Sequence, residues 1–253
     1  MGYAVFGADR SGRPGARFGL EFVVPGQGQV TGSLADHWDV RFEEAAPVRQ
    51  FHFAKGSRNY PGLYWSATVR RHVGYESWLE RDHLKLLDFD RRIVGIASQP
   101  FRISWEQDGV VRRHTPDFFA RWADGTGVVV DVRADDRIAD RDAAAFEATE
   151  VACSQVGWEF WRVGVPDPVY MANIRWLAGY RHPRVYQEAV SRALKEAFAE
   201  PTRLLAGAAQ VGQPIAVLPV LFHLVWTGVL TADLRGGVLN GATSVRTAGE
   251  ASR

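Results

Sequence analysis

The sequence predicts an α/β fold in which a mixed sheet flanked by helices is followed by a mainly helical C-terminal domain. Three observations carry this prediction. A helical stripe at 75–88 precedes a series of short strand-like runs, Asp-Gly turn signals separate those runs, and the composition turns helical beyond Pro166 and Pro168. The 253 residues suffice for two cores. With 46% hydrophobic and 23% charged residues, the composition is that of a folded chain and excludes a wholly disordered one. The expected divisions are an N-terminal β or irregular arm at 1–64, the α/β domain at 65–166 and the helical domain at 169–247.

The first forty residues are rich in Gly, with short extended runs at 17–24 and 29–34 that suggest a small β element or a loose arm. A strand is expected at 48–53, then a turn at 55–62. At 75–88, Leu79, His83, Leu86 and Leu87 fall at i, i+4, i+7 and i+8, the stripe of an amphipathic helix. Strand-like runs follow at 93–99 and 101–105, and Asp108-Gly109 signals a hairpin. The run 110–122 reads as one strand and Asp124-Gly125 as a second turn. The nearly continuous apolar run 128–132 reads as a strand buried on both faces. A helix at 141–156 stops at Gly157, and 158–163 is a further strand. Beyond the prolines, helices are expected at 169–180, 184–198 and 218–226, with short strands at 229–234 and 243–246 around Gly236-Gly237. Three helices closed by a hairpin outline a winged helix-turn-helix, though unrelated interaction domains share that outline.

Basic and acidic residues nearly cancel, 30 against 29, so no net field argues for a polyanionic partner. Lysine occurs only at Lys55, Lys85 and Lys195. The other basic residues are arginines, which suit bidentate phosphate contacts, although a codon bias gives the same skew. A single cysteine, Cys153, excludes an internal disulfide and a Cys-rich zinc site and fits a reducing compartment. The amino terminus lacks the apolar core of a signal peptide. The most apolar stretch, 215–230, is broken by Pro219, His223 and Gly228 and falls short of the roughly 20 apolar residues that span a bilayer. A soluble cytoplasmic protein without a membrane partner is expected.

The chemistry centres on a few charged positions. Asp117 follows Pro116 inside an expected strand, and Asp131 and Arg133 lie at i and i+2, on one face at the end of the next. Asp131 follows three valines that belong in a core, and a carboxylate entering an apolar strand needs a cation, a hydrogen-bond network or a metal. Two paired strands can bring Asp117 and Asp131 together. Adjacent carboxylates repel unless they share a proton or a divalent ion, and oxygen ligands favour magnesium or manganese. Glu80, at the rim of the helical stripe, is a third carboxylate.

The order Glu80, Pro116-Asp117, Asp131-Val132-Arg133 resembles the PD-(D/E)xK nuclease superfamily, with arginine where the superfamily usually has lysine. More narrowly, Glu76-Ser77-Trp78-Leu79-Glu80, Ile96-Ala97-Ser98-Gln99-Pro100-Phe101 and His114-Thr115-Pro116-Asp117-Phe118 resemble the TnsA endonuclease subunit of heteromeric transposases. The resemblance implies a restriction-endonuclease-like mixed sheet core and a winged-helix-like C-terminal domain. It implies catalytic roles for Glu80, Asp117, Asp131 and Arg133. It also implies Mg2+ (or Mn2+) held by Asp117 and Asp131, with the backbone carbonyl of Val132 as a further ligand and Glu80 on the metal or a water attached to it. Arginine stays protonated, so Arg133 cannot be a general base, but it can orient the phosphate. The implied reaction is hydrolysis of phosphodiester bonds of double-stranded DNA at the 5′ ends of the element. A DDE-type transposase subunit and an AAA+ ATPase regulator are the implied partners, and the isolated protein is expected to be poorly active.

Each of these residues also has a plainer reading. Ser77-x-x-Glu80 is a capping box, with Glu76 the substitute ligand if the helix phase differs. Pro116-Asp117 is also what an edge strand with a solvated acid looks like, and Asp131 with Arg133 could be a surface ion pair worth less than about 1 kcal/mol. His114 is tempting as a ligand, yet a lone strand histidine is usually a hydrogen-bonded structural residue. Arg112, Arg113 and Arg137 are candidate contacts to the DNA backbone. The mixed-sign cluster that contains Asp135, Asp136 and Asp142 reads as a solvated loop entering a helix. Two other functions fit the same residues: a non-catalytic DNA-binding or assembly module with a degenerate nuclease fold, or a related nuclease of defence or repair. The deciding observation is whether Glu80, Asp117 and Asp131 converge on one accessible pocket.

Overall fold

The computed structural model describes residues 17–49 and 60–249. They group into two units, one of residues up to Leu87 with Arg92–Val165, the other of Asp88–Arg91 with residues from Pro166 onward.

The first unit holds β1 (Gly19–Val24), β2 (Gly28–Ser33), α1 (Leu34–His37), β3 (Gly62–Ser66), β4 (Arg71–Tyr75) and α2 (Trp78–Phe89) as far as Leu87. It continues through β5 (Ile93–Ser98), β6 (Phe101–Gln107), β7 (Val110–His114), β8 (Phe118–Trp122), β9 (Gly127–Val132), α3 (Asp140–Gln155) and β10 (Glu159–Val163). One antiparallel sheet runs β2-β1-β6-β7 and a mixed sheet runs β10-β9-β8-β5, with only β9 and β10 parallel. β3 and β4 form a separate hairpin.

The central position of β9 explains its apolar run. Val128 and Val130 enter a core with Phe118, Ala120, Leu84 and Leu87, while Val129 enters the opposite core with Phe119, Phe42 and Trp158. Asp108 and Gly109 both have left-handed φ (53° and 73°), which gives the two-residue turn whose twist suits a hairpin. Gly157, at φ 72°, ends α3 as expected.

The extended runs expected at 17–24 and 29–34 form β1 and β2, and β1 also pairs with β6 (Phe22 opposite Phe101), with Phe18, Leu20 and Phe22 buried in the core. Three elements differ from expectation. The run 110–122 is two strands in two sheets. Pro116 has no N–H for a ladder and steers Thr115 away from helical angles, so the chain crosses between sheets there. Asp117 therefore sits in the break before β8 and not inside a strand. The helix expected at 75–88 starts later, at Trp78, because Tyr75 pairs with Gly62 at the end of β4. Of the strand expected at 48–53, Val48 and Arg49 form a bend and the rest lies outside the described residues, as does most of the turn at 55–62.

The second unit contains α4 (Pro168–Leu177), α5 (Glu188–Ala197), β11 (Thr202–Arg203), α6 (Leu204–Val211), α7 (Pro214–Trp226), β12 (Leu230–Ala232) and β13 (Ser244–Thr247). Asp167 caps α4 by accepting from the Tyr170 N–H at 2.7 Å, with Pro168 following it at the start of the helix. The short α6 and β11 were not expected. α6 has only eight residues, too few for a readable stripe, and it depends on Gly207 for room against the Phe198 ring. The strands order as β11-β13-β12, all antiparallel. Buried Asn173 donates to the carbonyls of Leu234 and Gly237 and accepts from the Leu239 N–H, which pins the connection between β12 and β13. Among the described residues no single helix is long and apolar enough to cross a membrane.

Candidate active site

The ladder between β8 and β9 places Phe118 opposite Val130. Continued one step, the same register sets Asp117 opposite Asp131. The backbone ladder to β9 stops there. The Asp117 side chain takes over, its Oδ2 accepting the Val132 N–H at 2.8 Å, while its backbone carbonyl accepts from the Gln99 N–H at 2.9 Å. Asp131, only 2% exposed, lies 2.8 Å from His114 Nε2 through its Oδ2. Asp117 and Asp131 line one pocket of about 400 Å³ together with Glu80, Val132, Arg133 and Arg137.

Glu80 occupies that wall and caps its helix at the same time. Ser77 Oγ accepts the Glu80 N–H at 3.1 Å, and Glu80 in return accepts from the Ser77 hydroxyl at 2.8 Å and the Glu76 N–H at 2.7 Å. Both of its carboxylate oxygens are thus engaged within the first turn of α2. The capping-box reading and the pocket reading describe the same side chain.

The electrostatics follow from burial and like charge. Burial pushes the Asp117 carboxyl well above its ordinary value of 3.8, and the neighbouring Glu80 and Asp131 carboxylates push it further. Burial also raises Glu80, against hydrogen bonds from Glu76 and Ser77 that pull it down. Three acids gathered around one pocket favour a proton or a cation among them.

The donor set fits a hard divalent cation of a particular kind. Among the described residues, each aspartate has one hydrogen-bond donor on one oxygen, which leaves its second oxygen available as a ligand. Among those same residues, no group of three or more His, Cys, Asp or Glu side chains could hold a metal ion by itself. Two carboxylates without a closed cage suit an ion that retains several waters and completes its shell from a phosphate.

The basic residues divide. Arg133 and Arg137 line the pocket, whereas Arg112 and Arg113 are exposed on β7, the edge strand of the other sheet, outside it. Arg133 donates to Asp142 Oδ2 at 2.9 Å in the first turn of α3. Partial burial raises the Asp142 carboxyl, but the Ala139 N–H and Arg133 outweigh it and hold the group below its ordinary range. Asp142, expected in a solvated loop, is therefore the partner of Arg133. Its signal was an acid three residues after Ala139 at a helix start. Arg49, which pairs with Glu76 at the pocket wall, carried no sequence signal. The link of His114 to Asp131 follows from the crossing at Pro116, which side-chain periodicity does not reveal.

Residues 90–163 match a family model described as TnsA-like endonuclease N terminal. No curated protein matches the chain. The matched segment runs from the start of β5 to the end of β10 and holds Asp117, Asp131 and Arg133, while Glu80 precedes it. The mixed α/β architecture is consistent with a nuclease-like fold, and the segment similar to the TnsA-like endonuclease model holds the paired aspartates that open onto a common pocket.

Proposed function

We propose that the protein is a metal-dependent DNA endonuclease subunit of a TnsA-like heteromeric transposase, hydrolysing phosphodiester bonds at the 5′ ends of the element. The observation that carries this reading is that Asp117, bonded to the Val132 N–H beside Asp131, lines one pocket with Asp131, Glu80, Arg133 and Arg137. Asp117 and Asp131 would hold Mg2+ or Mn2+, with the Val132 carbonyl as a further oxygen. When bound, the ion supplies Lewis acidity that acidifies water and neutralises charge on the scissile phosphate.

The chain's own residues supply positioning. Glu80, with both oxygens committed to its helix cap, acts through solvent and adds negative charge that favours cation uptake. Arg133 and Arg137 would hold phosphate oxygens, and Arg133, always protonated, stabilises developing charge without moving a proton. In the second unit, the order α5, β11, α6, α7, β12, β13 with β11 paired to β13 supports a winged-helix-like module for the DDE-type transposase and the AAA+ ATPase regulator. A second reading, a non-catalytic assembly module, draws on Arg133 being turned to Asp142.

The two readings separate in a cleavage assay on element-end DNA with Mg2+ or Mn2+ and both partner proteins present. Cutting by the wild type, abolished by EDTA and by Asp117→Ala, supports the endonuclease. An identical lack of cutting by wild type and Asp117→Ala under all these conditions would leave the assembly module.

A further inference from the structure

We propose that His114 is a positioning residue for Asp131, holding one carboxylate oxygen so that the other is presented to the metal; this rests on the metal-site reading above. Asp131 is 2% exposed, and a buried carboxylate needs a hydrogen-bond partner. Among the described residues its hydrogen-bond partner is His114, whose Nε2 lies 2.8 Å from Oδ2. Asp117 is held differently, by the backbone N–H of Val132, so the two facing acids have independent supports.

The support reaches Asp131 from the other sheet. β7, which ends at His114, belongs to the antiparallel sheet, while β9 is central in the mixed one. The crossing at Thr115-Pro116 that aims Asp117 also leaves His114 three residues upstream, beside the same pocket. The imidazole is steadied by Phe146 of α3, edge to face with ring centroids 6.2 Å apart. Donation to a carboxylate requires the proton on Nε2, so the ring is a donor to Asp131 and leaves Oδ1 for coordination. Hydrogen bonds of this kind to metal-ligating carboxylates orient them and tune metal affinity.

The test is Mn2+ binding to the full chain, measured by titration calorimetry, for the wild type, His114→Gln, His114→Asn and Asp131→Ala. The amide nitrogen of Gln reaches the place of Nε2, while that of Asn reaches only the place of Nδ1. Both variants keep a polar side chain, and circular dichroism verifies that each is folded. His114→Asn is expected to weaken Mn2+ binding by about 10–100-fold and His114→Gln to stay within about threefold of wild type. Asp131→Ala is expected to lose the site. Wild-type affinity in His114→Asn beside a loss in Asp131→Ala would overturn the positioning role and leave the metal site standing. Equal loss in the Gln and Asn variants would also overturn it, making the imidazole itself a ligand. Unchanged affinity in Asp131→Ala would instead sink the metal-site reading.

Discussion

Arg133 at the end of β9 and Asp142 in the first turn of α3 are joined by a 2.9 Å hydrogen bond, and Asp142 Oδ2 also accepts the Ala139 N–H at 3.3 Å. One oxygen thus serves as both ion-pair partner and helix cap. The Arg133 side chain is 42% exposed, so the ion pair is worth less than about 1 kcal/mol. Asp142→Asn, which keeps an acceptor for Ala139, is expected to cost no more than that. Asp142→Ala, which also removes the cap, is expected to cost about 1–2 kcal/mol. Urea unfolding of both variants measures the difference, and equal costs would mean that the cap contributes nothing.

Asp117 makes the metal-free protein less stable as pH rises. Its carboxyl titrates above 3.8 in the folded state, chiefly through burial, so between 3.8 and the folded value the native state binds more protons than the unfolded one. Stability then falls with increasing pH through that window. Asp117→Asn cannot ionise and can still accept the Val132 N–H. In EDTA it is expected to raise the Tm at neutral pH and leave it unchanged well below pH 3.8. Thermal melts across pH measure this, and a Tm no higher than wild type at pH 7 contradicts it.

His83 has the opposite sign. Burial holds its imidazole below the ordinary 6.5, against the hydrogen bond from Nε2 to the Gly164 carbonyl at 2.6 Å, which raises it. Below 6.5 the unfolded state binds the extra proton first, so stability is lost as pH falls through 6.5 towards the folded value. His83→Gln keeps a donor for Gly164 and is expected to flatten that part of the pH–stability curve. An equally steep curve in the variant would assign the acid loss to other groups.

Phe42 ties residues before β3 into the first unit. Its ring meets Phe22, Phe101, Phe119 and Trp158 at centroid distances of 5.2, 4.8, 5.7 and 5.6 Å, and it is fully buried. Phe42→Ala is expected to cost about 3–5 kcal/mol in urea unfolding, the range for removing a buried aromatic ring. A loss below about 1 kcal/mol would mean that this segment is not part of the core.

The pattern of local sequence was readable wherever chemistry acts within a few residues. The stripe of α2, the paired left-handed turn at Asp108-Gly109, the stop at Gly157 and the buried run of β9 all follow from side-chain period or backbone freedom. The order of acids along the chain was readable too, and the pocket gathers Glu80, Asp117 and Asp131. The extended runs of β1 and β2 were readable, but not the sheet they join, because β1 finds its second partner in β6, about eighty residues away.

By itself, the sequence determined which residues carry charge and which short segments prefer helix, strand or turn, because those preferences arise from spacing of a few residues. Tertiary structure alone decided that Pro116 is a crossing between sheets, that His114 supports Asp131 and that Arg133 turns to Asp142. The physical reason is that hydrogen bonds of buried charges are chosen by whichever groups folding brings within about 3 Å, and those groups come from different sheets and helices.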